Sequence, residues 1–284
     1  MPISICVTCG TQFASTDSPP DRCPICEDER QYVPPGGQEW TTLDALQQTH
    51  HTVIKPQEPG LIGIGVHPEF AIGQRALLVQ TPEGNLLWDC VSLIDDPTIA
   101  VVRALGGMRA IAISHPHYYS SMVEWSQVFD APIYIHEAEH RWVMYPDPAI
   151  DFWEGETYRL FGGLTLIRCG GHFEGGQVLH WPAGAEGNGA LLSGDIIQVV
   201  PDSRYVSFMY SYPNLIPLSA ATVEHIAAAV EPYPFDRIYG AWWPRVVPSG
   251  AHEAVVRSAD RYVRALRGEV GATREEARAS TTGR

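Results

Sequence analysis

Three histidines and one aspartate stand at the ends of strand-like apolar runs in the middle of this chain. His115 and His117 directly follow residues 109–114, which are predicted to form a buried strand. In extended chain the side chains at i and i+2 project to the same side, so these two imidazoles can chelate one ion. His172 lies in a glycine-rich turn after another strand-like run, and Asp195 ends a third. Each group alone also fits a capped turn or a core histidine, but together they predict a zinc or iron site.

The second group of candidate metal ligands is a pair of Cys-x-x-Cys motifs near the N-terminus. Each motif can aim two thiolates at one point, and two motifs complete a tetrahedral shell, which here consists of Cys6, Cys9, Cys23 and Cys26. The segment resembles a zinc ribbon, and because it is too short to build a core, metal must supply its folding energy. The alternatives are reduced thiols that merely lie close in sequence, or disulfides, which the absence of a secretion signal disfavours. We expect a closed, structural zinc site, and loss of Cys23 should leave the histidine site loaded. The two remaining cysteines, Cys90 and Cys169, follow apolar runs and are predicted to be buried free thiols.

Composition limits the kinds of partner that such sites would serve. The 284 residues contain 33 Asp and Glu against 19 Lys and Arg, for a formal net charge of −14. This charge argues against nucleic acid and against anionic membrane surfaces as partners. No apolar run approaches the roughly 18 residues of a membrane span, and the N-terminus has no signal-peptide pattern. We therefore expect a soluble, cytoplasmic protein with a small-molecule substrate; the sequence does not specify its oligomeric state.

The elements that must position these residues alternate between strands and helices. Strands are predicted at residues 75–80, 85–90, 109–114, 132–135, 164–168, 177–181, 190–193 and 237–239. Helices are predicted at residues 96–105, 121–129, 219–230 and 249–266, with a short one from Glu137. This pattern favours an α/β sandwich with two sheets inside and helices outside. The predicted organisation is a zinc-ribbon-like segment with its linker at 1–38, one large domain at 39–267 and a polar tail at 268–284.

The order and spacing of the histidine and aspartate motifs resemble those of the metallo-β-lactamase superfamily. That family's pattern is His-x-His-x-Asp-His, then Gly-His, then Gly-Asp, then a last histidine, and the resemblance covers about residues 55–245. It implies an αββα sandwich with the metal site at the sheet edges. It also implies that His115, His117 and His172 hold the first metal, with Asp195 as the usual bridging carboxylate. Asp89, which ends the early hairpin, either orients a histidine ligand or caps a turn.

The chain departs from the family pattern at the second metal position. Tyr119, Ser120 and Trp242 stand where the family has an aspartate and two histidines. We therefore expect one metal in the main site. Zinc on three histidines can still lower the pKa of a bound water to about 7, with Asp195 as the catalytic group that orients or deprotonates the water.

Two other functions fit the same residues. A two-histidine, one-carboxylate triad of His115, His172 and Asp195 would suit iron and the oxygen chemistry of the superfamily's thiol dioxygenases. A non-catalytic protein that keeps the fold for binding is the other alternative.

A long aromatic segment at residues 202–218 is predicted to hang over the metal. Tyr210 in this segment, Tyr119 below it and Trp242 on the other side are predicted to wall a partly apolar substrate pocket. The alternative is that these aromatic side chains only pack the loop against the domain. His67 is a further candidate for the border of this pocket. The sequence does not identify the substrate or the bond that is cleaved.

Overall fold

The N-terminal segment consists of two short paired strands with a single helical turn between them in the chain. A computed structural model describes residues 3–269 of the chain, so the predicted tail lies outside the described residues from position 270 onward. Strand β1 (Ile5–Cys6) pairs antiparallel with β2 (Trp40–Thr41), and helix α1 (Pro24–Glu27) lies between them. Helix α2 (Leu43–Thr49) follows, and the hydroxyl of Thr42 caps its N-terminus by accepting a hydrogen bond from the Ala45 N–H.

A seven-stranded sheet holds the first half of the chain, with its strands in sequence order. They are β3 (His51–Glu58), β4 (Leu61–His67), β5 (Ala76–Thr81), β6 (Gly84–Trp88), β7 (Ala110–Ala112), β8 (Ile133–His136) and β9 (Ile150–Trp153). Strands β3 to β6 pair antiparallel and β6 to β9 pair parallel. Helices α3 (Asp96–Ala104) and α4 (Met122–Phe129) make the crossovers into β7 and β8. Parallel neighbours place the carboxyl ends of β6, β7 and β8 at one edge of the sheet.

A six-stranded sheet holds most of the second half. Ten strands follow one another in the described residues of this half of the chain, and six of them form that sheet. In chain order the ten are β10 (Thr157–Arg159), β11 (Thr165–Arg168), β12 (Gln177–Trp181), β13 (Ala190–Gly194), β14 (Gln198–Val199), β15 (Val206–Ser207), β16 (Met209–Ser211), β17 (Ile216–Pro217), β18 (Arg237–Gly240) and β19 (Val246–Val247). Strands β14 with β15 and β16 with β17 form two separate two-stranded sheets, and the remaining six build the large sheet in the order β10-β11-β12-β13-β18-β19. The helices are the single irregular turn α5 (Gly184–Gly187), α6 (Ala220–Val230) and α7 (Ala251–Leu266).

Alternating side chains along the strands define the layers. Leu77 on β5 packs in the cluster between the two sheets with Leu179 and Leu192, whereas its neighbour Leu78 packs toward α3 and α4. On the other sheet, Leu191 packs against α6 and α7. These three buried clusters make an αββα sandwich, which confirms the fold class expected from the sequence.

The N-terminal segment adds its own apolar side chains to the helix-facing side of the first sheet. Phe13 and Ile25 are buried in the same cluster as Trp125 of α4. Within residues 3–269, no helix is long and apolar enough to cross a membrane.

Candidate metal centre

The candidate ligands come from three connections at the edges of the two sheets. His115 lies just after β7, and His117 is in the 3₁₀ turn that follows. His172 lies in the connection between β11 and β12, and Asp195 directly follows β13. One ring nitrogen from each of the three histidines lies within 4.8 Å of the others. Asp195 is not part of that group, but its Oδ1 lies 3.1 Å from His115 Nε2.

Hydrogen bonds fix which ring nitrogen of two of these histidines faces the centre. His172 Nδ1 donates to the carbonyl oxygens of Tyr210, at 2.8 Å, and Met209, at 3.2 Å. Because a carbonyl only accepts, His172 carries its proton on Nδ1 and presents a free lone pair on Nε2. His115 Nδ1 lies 2.9 Å from the Ser114 hydroxyl, which leaves its Nε2 toward Asp195. This is the outer hydrogen bonding by which proteins hold histidine ligands.

The spacing of the donor atoms fits a tetrahedral ion. Zinc–nitrogen bonds of about 2.0–2.1 Å give tetrahedron edges of about 3.3 Å, and His117 Nδ1 lies 3.1 Å from His172 Nε2. His115 Nε2 and Asp195 Oδ1 are both buried without a hydrogen-bond partner. Unpartnered buried polar atoms are costly, so their convergence here is what a bound cation would resolve.

Burial keeps the three histidines in the protonation state that a metal needs. Burial and the neighbouring imidazoles hold the pKa of His115 and of His117 well below the usual histidine range. Burial also lowers the pKa of His172 to about 4. The three rings are therefore neutral at physiological pH, the form in which histidine binds metal.

Two buried carboxyl groups accompany the histidines. Burial raises the pKa of Asp195 to about 8 and that of Asp89 to about 7. Asp89 Oδ1 accepts the Ser114 N–H at 2.7 Å, so Asp89 ties the end of β6 to the end of β7. Gly194 brings β13 to the same place: at its φ of +55°, an added Cβ would meet Ser114 Oγ at 2.7 Å.

Of the aromatic residues predicted to wall a substrate pocket, Tyr210 and Trp242 lie near the centre, whereas Tyr119 faces the N-terminal segment, and the pocket itself stays a prediction. The Tyr210 carbonyl accepts from His172, as described above. The Trp242 indole donates to the Ile72 carbonyl at 3.0 Å, and its ring packs edge-on against Tyr118 at 6.1 Å. Tyr118, rather than Tyr119, contacts His115, with ring centroids 4.4 Å apart.

Two of the three residues that depart from the expected second-metal motif, Tyr119 and Ser120, face the N-terminal segment. Tyr119 is buried and lines a small void together with Thr11 and Gln12. The Ser120 carbonyl accepts the Gln12 N–H at 3.0 Å, and its hydroxyl accepts from Gln74 at 2.9 Å. Tyr119 and Ser120 are therefore held by contacts with the N-terminal segment and with Gln74, which lies just before β5.

Two further histidines near the sheet edges have protein partners or lie at the surface. His67 is exposed and packs edge-on against His51 across the β3–β4 pair. His136 is bonded through both ring nitrogens, to the Gly155 carbonyl and to the Ala138 N–H. Neither residue belongs to the histidine group.

The four N-terminal cysteines form a second candidate metal site. All four are buried and form no disulfide, and their Sγ atoms all lie within 4.8 Å of one another. The Sγ–Sγ distances are 3.5 Å for Cys6 and Cys26 and 3.7 Å for Cys9 and Cys23. Zinc–sulfur bonds of about 2.3 Å require tetrahedron edges of about 3.8 Å, so this cluster fits one zinc. Cys90 and Cys169 are buried and free, as the sequence predicts.

Two residues near the centre were not recognised from the sequence. The Tyr212 hydroxyl donates to the Asp195 carbonyl at 2.7 Å, and its ring lies 5.5 Å from that of His172. Arg30, assigned to a polar linker, is buried, and its Nη1 donates to the His172 carbonyl at 3.3 Å. The aromatic composition of residues 202–218 pointed to the segment of Tyr212, whereas no local pattern marks Arg30.

Sequence comparison finds one closely similar protein of uncharacterized function. YmaE of Bacillus subtilis (strain 168) is 54% identical over 272 residues, which cover 95% of this chain and 99% of YmaE. No family model matches the chain.

Comparison with solved structures shows which fold the chain has. The metallo-β-lactamase FIM-1 from Pseudomonas aeruginosa, solved in its mono-zinc form, superposes with a TM-score of 0.57 at 14% identity, covering 75% of this chain and 96% of FIM-1. The metallo-β-lactamase SMB-1, solved with mercaptoacetic acid, gives a TM-score of 0.51 at 18% identity, covering 78% and 96%. The chain has the metallo-β-lactamase fold, with a four-cysteine cluster at its N-terminus.

Proposed function

This chain belongs to the family of YmaE from Bacillus subtilis, and we propose that it is a metal-dependent hydrolase of a small molecule with one metal in its main site. The ligands are His115, His117 and His172, with Asp195 as a fourth ligand or as the group beside the reacting water. The observation that carries the proposal is the convergence of three neutral, buried imidazoles and one unpartnered carboxylate oxygen at the sheet edges.

The chemistry of the donor set supports zinc first and iron second. When bound, such an ion supplies Lewis acidity and activates water near neutral pH. Asp195 lies where it can hold a proton taken from that water, and Ser114 and the Tyr210 carbonyl orient two of the histidine rings. One metal is favoured because Tyr119 and Ser120 offer no anionic ligand and face the N-terminal segment. FIM-1, which shares the fold, has been crystallised in a mono-zinc form.

A small-molecule substrate fits the charge of the chain better than a nucleic acid does. The formal net charge of −14 would repel a phosphate backbone. The four reduced thiols of the N-terminal site suit a reducing compartment, which supports the cytoplasmic location expected from the sequence.

One observation favours a second candidate, a non-catalytic metal site. The candidate ligand residues are almost fully buried: His115 and His172 are each 1% exposed, His117 is 3% and Asp195 is 4%. A hydrolase with this structure must open to admit substrate, whereas a structural or sensing site need not.

Elemental analysis of anaerobically purified protein, together with a hydrolysis assay, tests the proposal. We expect two zinc ions per chain, and one in the His115→Ala variant. We also expect zinc-dependent cleavage of at least one chromogenic ester, thioester or lactam, which the substitution lowers by at least about 100-fold. One zinc plus one iron would support the oxygenase instead. Two zinc ions without any hydrolysis would support the non-catalytic site, and zinc held only by the cysteines would refute the proposal.

A further inference from the structure

Arg30 carries a buried positive charge from the N-terminal segment to the turn that holds His172. It lies three residues beyond α1, and only 7% of it is exposed. Its guanidinium makes a two-pronged ion pair with Asp28, at 2.5 Å from Nε and 2.8 Å from Nη2. The remaining nitrogen, Nη1, donates to the His172 carbonyl at 3.3 Å.

The same guanidinium packs on the residue next to the metal ligand. Its carbon lies 3.9 Å from the centre of the Phe173 ring, close enough for a strong cation–π contact. The Phe173 ring in turn packs edge-on against His117, with centroids 4.9 Å apart. Arg30 therefore contacts the backbone of one ligand and the aromatic residue that supports another.

A second link joins the Arg30 segment to the loop that orients His172. The Asn214 side-chain amide donates to the carbonyls of Glu29 and Gln31, at 2.9 and 3.0 Å, on either side of Arg30. Asn214 belongs to the connection between β16 and β17, and β16 supplies the two carbonyls that accept from His172 Nδ1. Residues 28–31 thus hold the turn of His172 and the loop that fixes its ring.

We propose that Arg30 is a positioning residue that couples the four-cysteine segment to metal binding at the histidine site. This inference rests on the metal site of the proposed function. The guanidinium holds the backbone at His172, so the Nε2 lone pair of that ring is aimed before the ion arrives. Loss of this hydrogen bond lets the turn move and weakens the histidine site without removing a ligand.

Cobalt titration of the full-length protein tests the coupling without an activity assay. Cobalt in a four-thiolate site gives intense charge-transfer bands, which follow the cysteine site. The weaker ligand-field bands of the histidine site are followed in the difference spectrum against the His115→Ala variant, in which only the cysteine site binds cobalt. Arg30→Met keeps the length and apolar contact of the side chain but removes its charge and its donors. Arg22→Met is the matched control, because Arg22 lies in the same segment, its side chain is 75% exposed and its ion pair is with Glu27.

We expect Arg30→Met to bind cobalt at the histidine site on the order of tenfold more weakly, with its thiolate bands unchanged. Arg22→Met should match the wild type. Arg30→Lys keeps the positive charge but loses the planar guanidinium with its several N–H donors, so its affinity for cobalt should fall between those of Arg30→Met and the wild type. This variant also tests the coupling if Arg30→Met does not fold. Wild-type affinity in both Arg30 variants, or an equal loss in Arg22→Met, would overturn the coupling alone. Absence of histidine-bound cobalt in the wild type would overturn the coupling and the proposed function together.

Discussion

At the scale of single residues, the candidate centre is marked by buried polar atoms that have no protein partner. His115 Nε2 and Asp195 Oδ1 are both in this state. A fold tolerates such atoms where a ligand satisfies them, because leaving them unpaired costs about 1–3 kcal/mol each. Glu139 Oε2 is a further unpartnered atom, but its carboxyl is not a member of the histidine group.

The buried carboxyl of Glu139, which is not a candidate metal ligand, should make the free energy of unfolding depend on pH. Its side chain accepts the Gly175 N–H, and burial raises its pKa from 4.5 to about 7. The folded protein therefore binds this proton more tightly than the unfolded chain. The stabilisation is fully present below about pH 4.5 and is lost as the pH rises through about 7. Between pH 5 and pH 8 we expect Glu139→Gln to gain up to about 3 kcal/mol relative to the wild type.

Denaturant unfolding at both pH values would measure this difference. Glu83→Gln is the control, because the Glu83 side chain is 61% exposed. A gap between the wild type and Glu139→Gln that stays the same at pH 5 and pH 8 would contradict the assignment.

At the scale of elements, the sequence predicts those whose signal is local. The β5–β6 hairpin and helices α3, α4, α6 and α7 lie where the apolar patterns placed them, to within two residues at each end. Strands β3 and β4 were not predicted, because Pro56 and the glycines of β4 weaken the strand pattern. Glycine at these positions leaves space for a side chain that is distant in sequence: Gly63 and Gly65 lie under the Trp243 ring.

In the candidate site, too, residues with a local sequence signal could be predicted, and residues that depend on tertiary contacts could not. The candidate ligands could be predicted because each follows a strand, within a recognisable motif. Arg30 could not, because its contact with His172 spans 142 residues and rests on no local pattern. The placement of Tyr119 toward Thr11 and Gln12 likewise depends on how the N-terminal segment docks.

The glycine contact in β4 predicts a stability change. A Cβ at Gly63 would meet the Trp243 ring, with Cζ3 at 2.9 Å. Cation–π contacts also hold the Trp243 ring in place, because the Arg75 guanidinium and the Lys55 ammonium each lie 4.7 Å from its centre. We expect Gly63→Ala to lower the free energy of unfolding by about 1–3 kcal/mol. In Gly36→Ala, where a Cβ meets nothing within 4 Å, thermal unfolding should be nearly unchanged; equal melting temperatures for the two variants would refute the packing argument.

At the scale of the whole molecule, the two candidate metal sites belong to one packed structure. The cysteine cluster and Ile25 share a buried cluster with Phe173, which lies beside the histidines. Residues 28–31 then reach the His172 turn and the β16–β17 connection. The N-terminal segment is thus part of the cover that buries the histidine site, and a metal bound by its four cysteines would stabilise that cover.

This arrangement predicts that the cysteine site controls how fast the histidine site loses its ion. Cys23→Ser removes one thiolate just before α1, so we expect the four-cysteine site to lose its metal and the cover to loosen. With metal in excess the histidine site can still be occupied, in line with the sequence expectation, but its ion should escape sooner. We expect zinc release from the histidine site to excess chelator to be at least about tenfold faster in Cys23→Ser than in the wild type. Cys90→Ser is the control, because Cys90 is a buried free thiol outside both clusters. Equal release rates in Cys23→Ser and the wild type would show that access to the histidine site does not pass through the N-terminal segment.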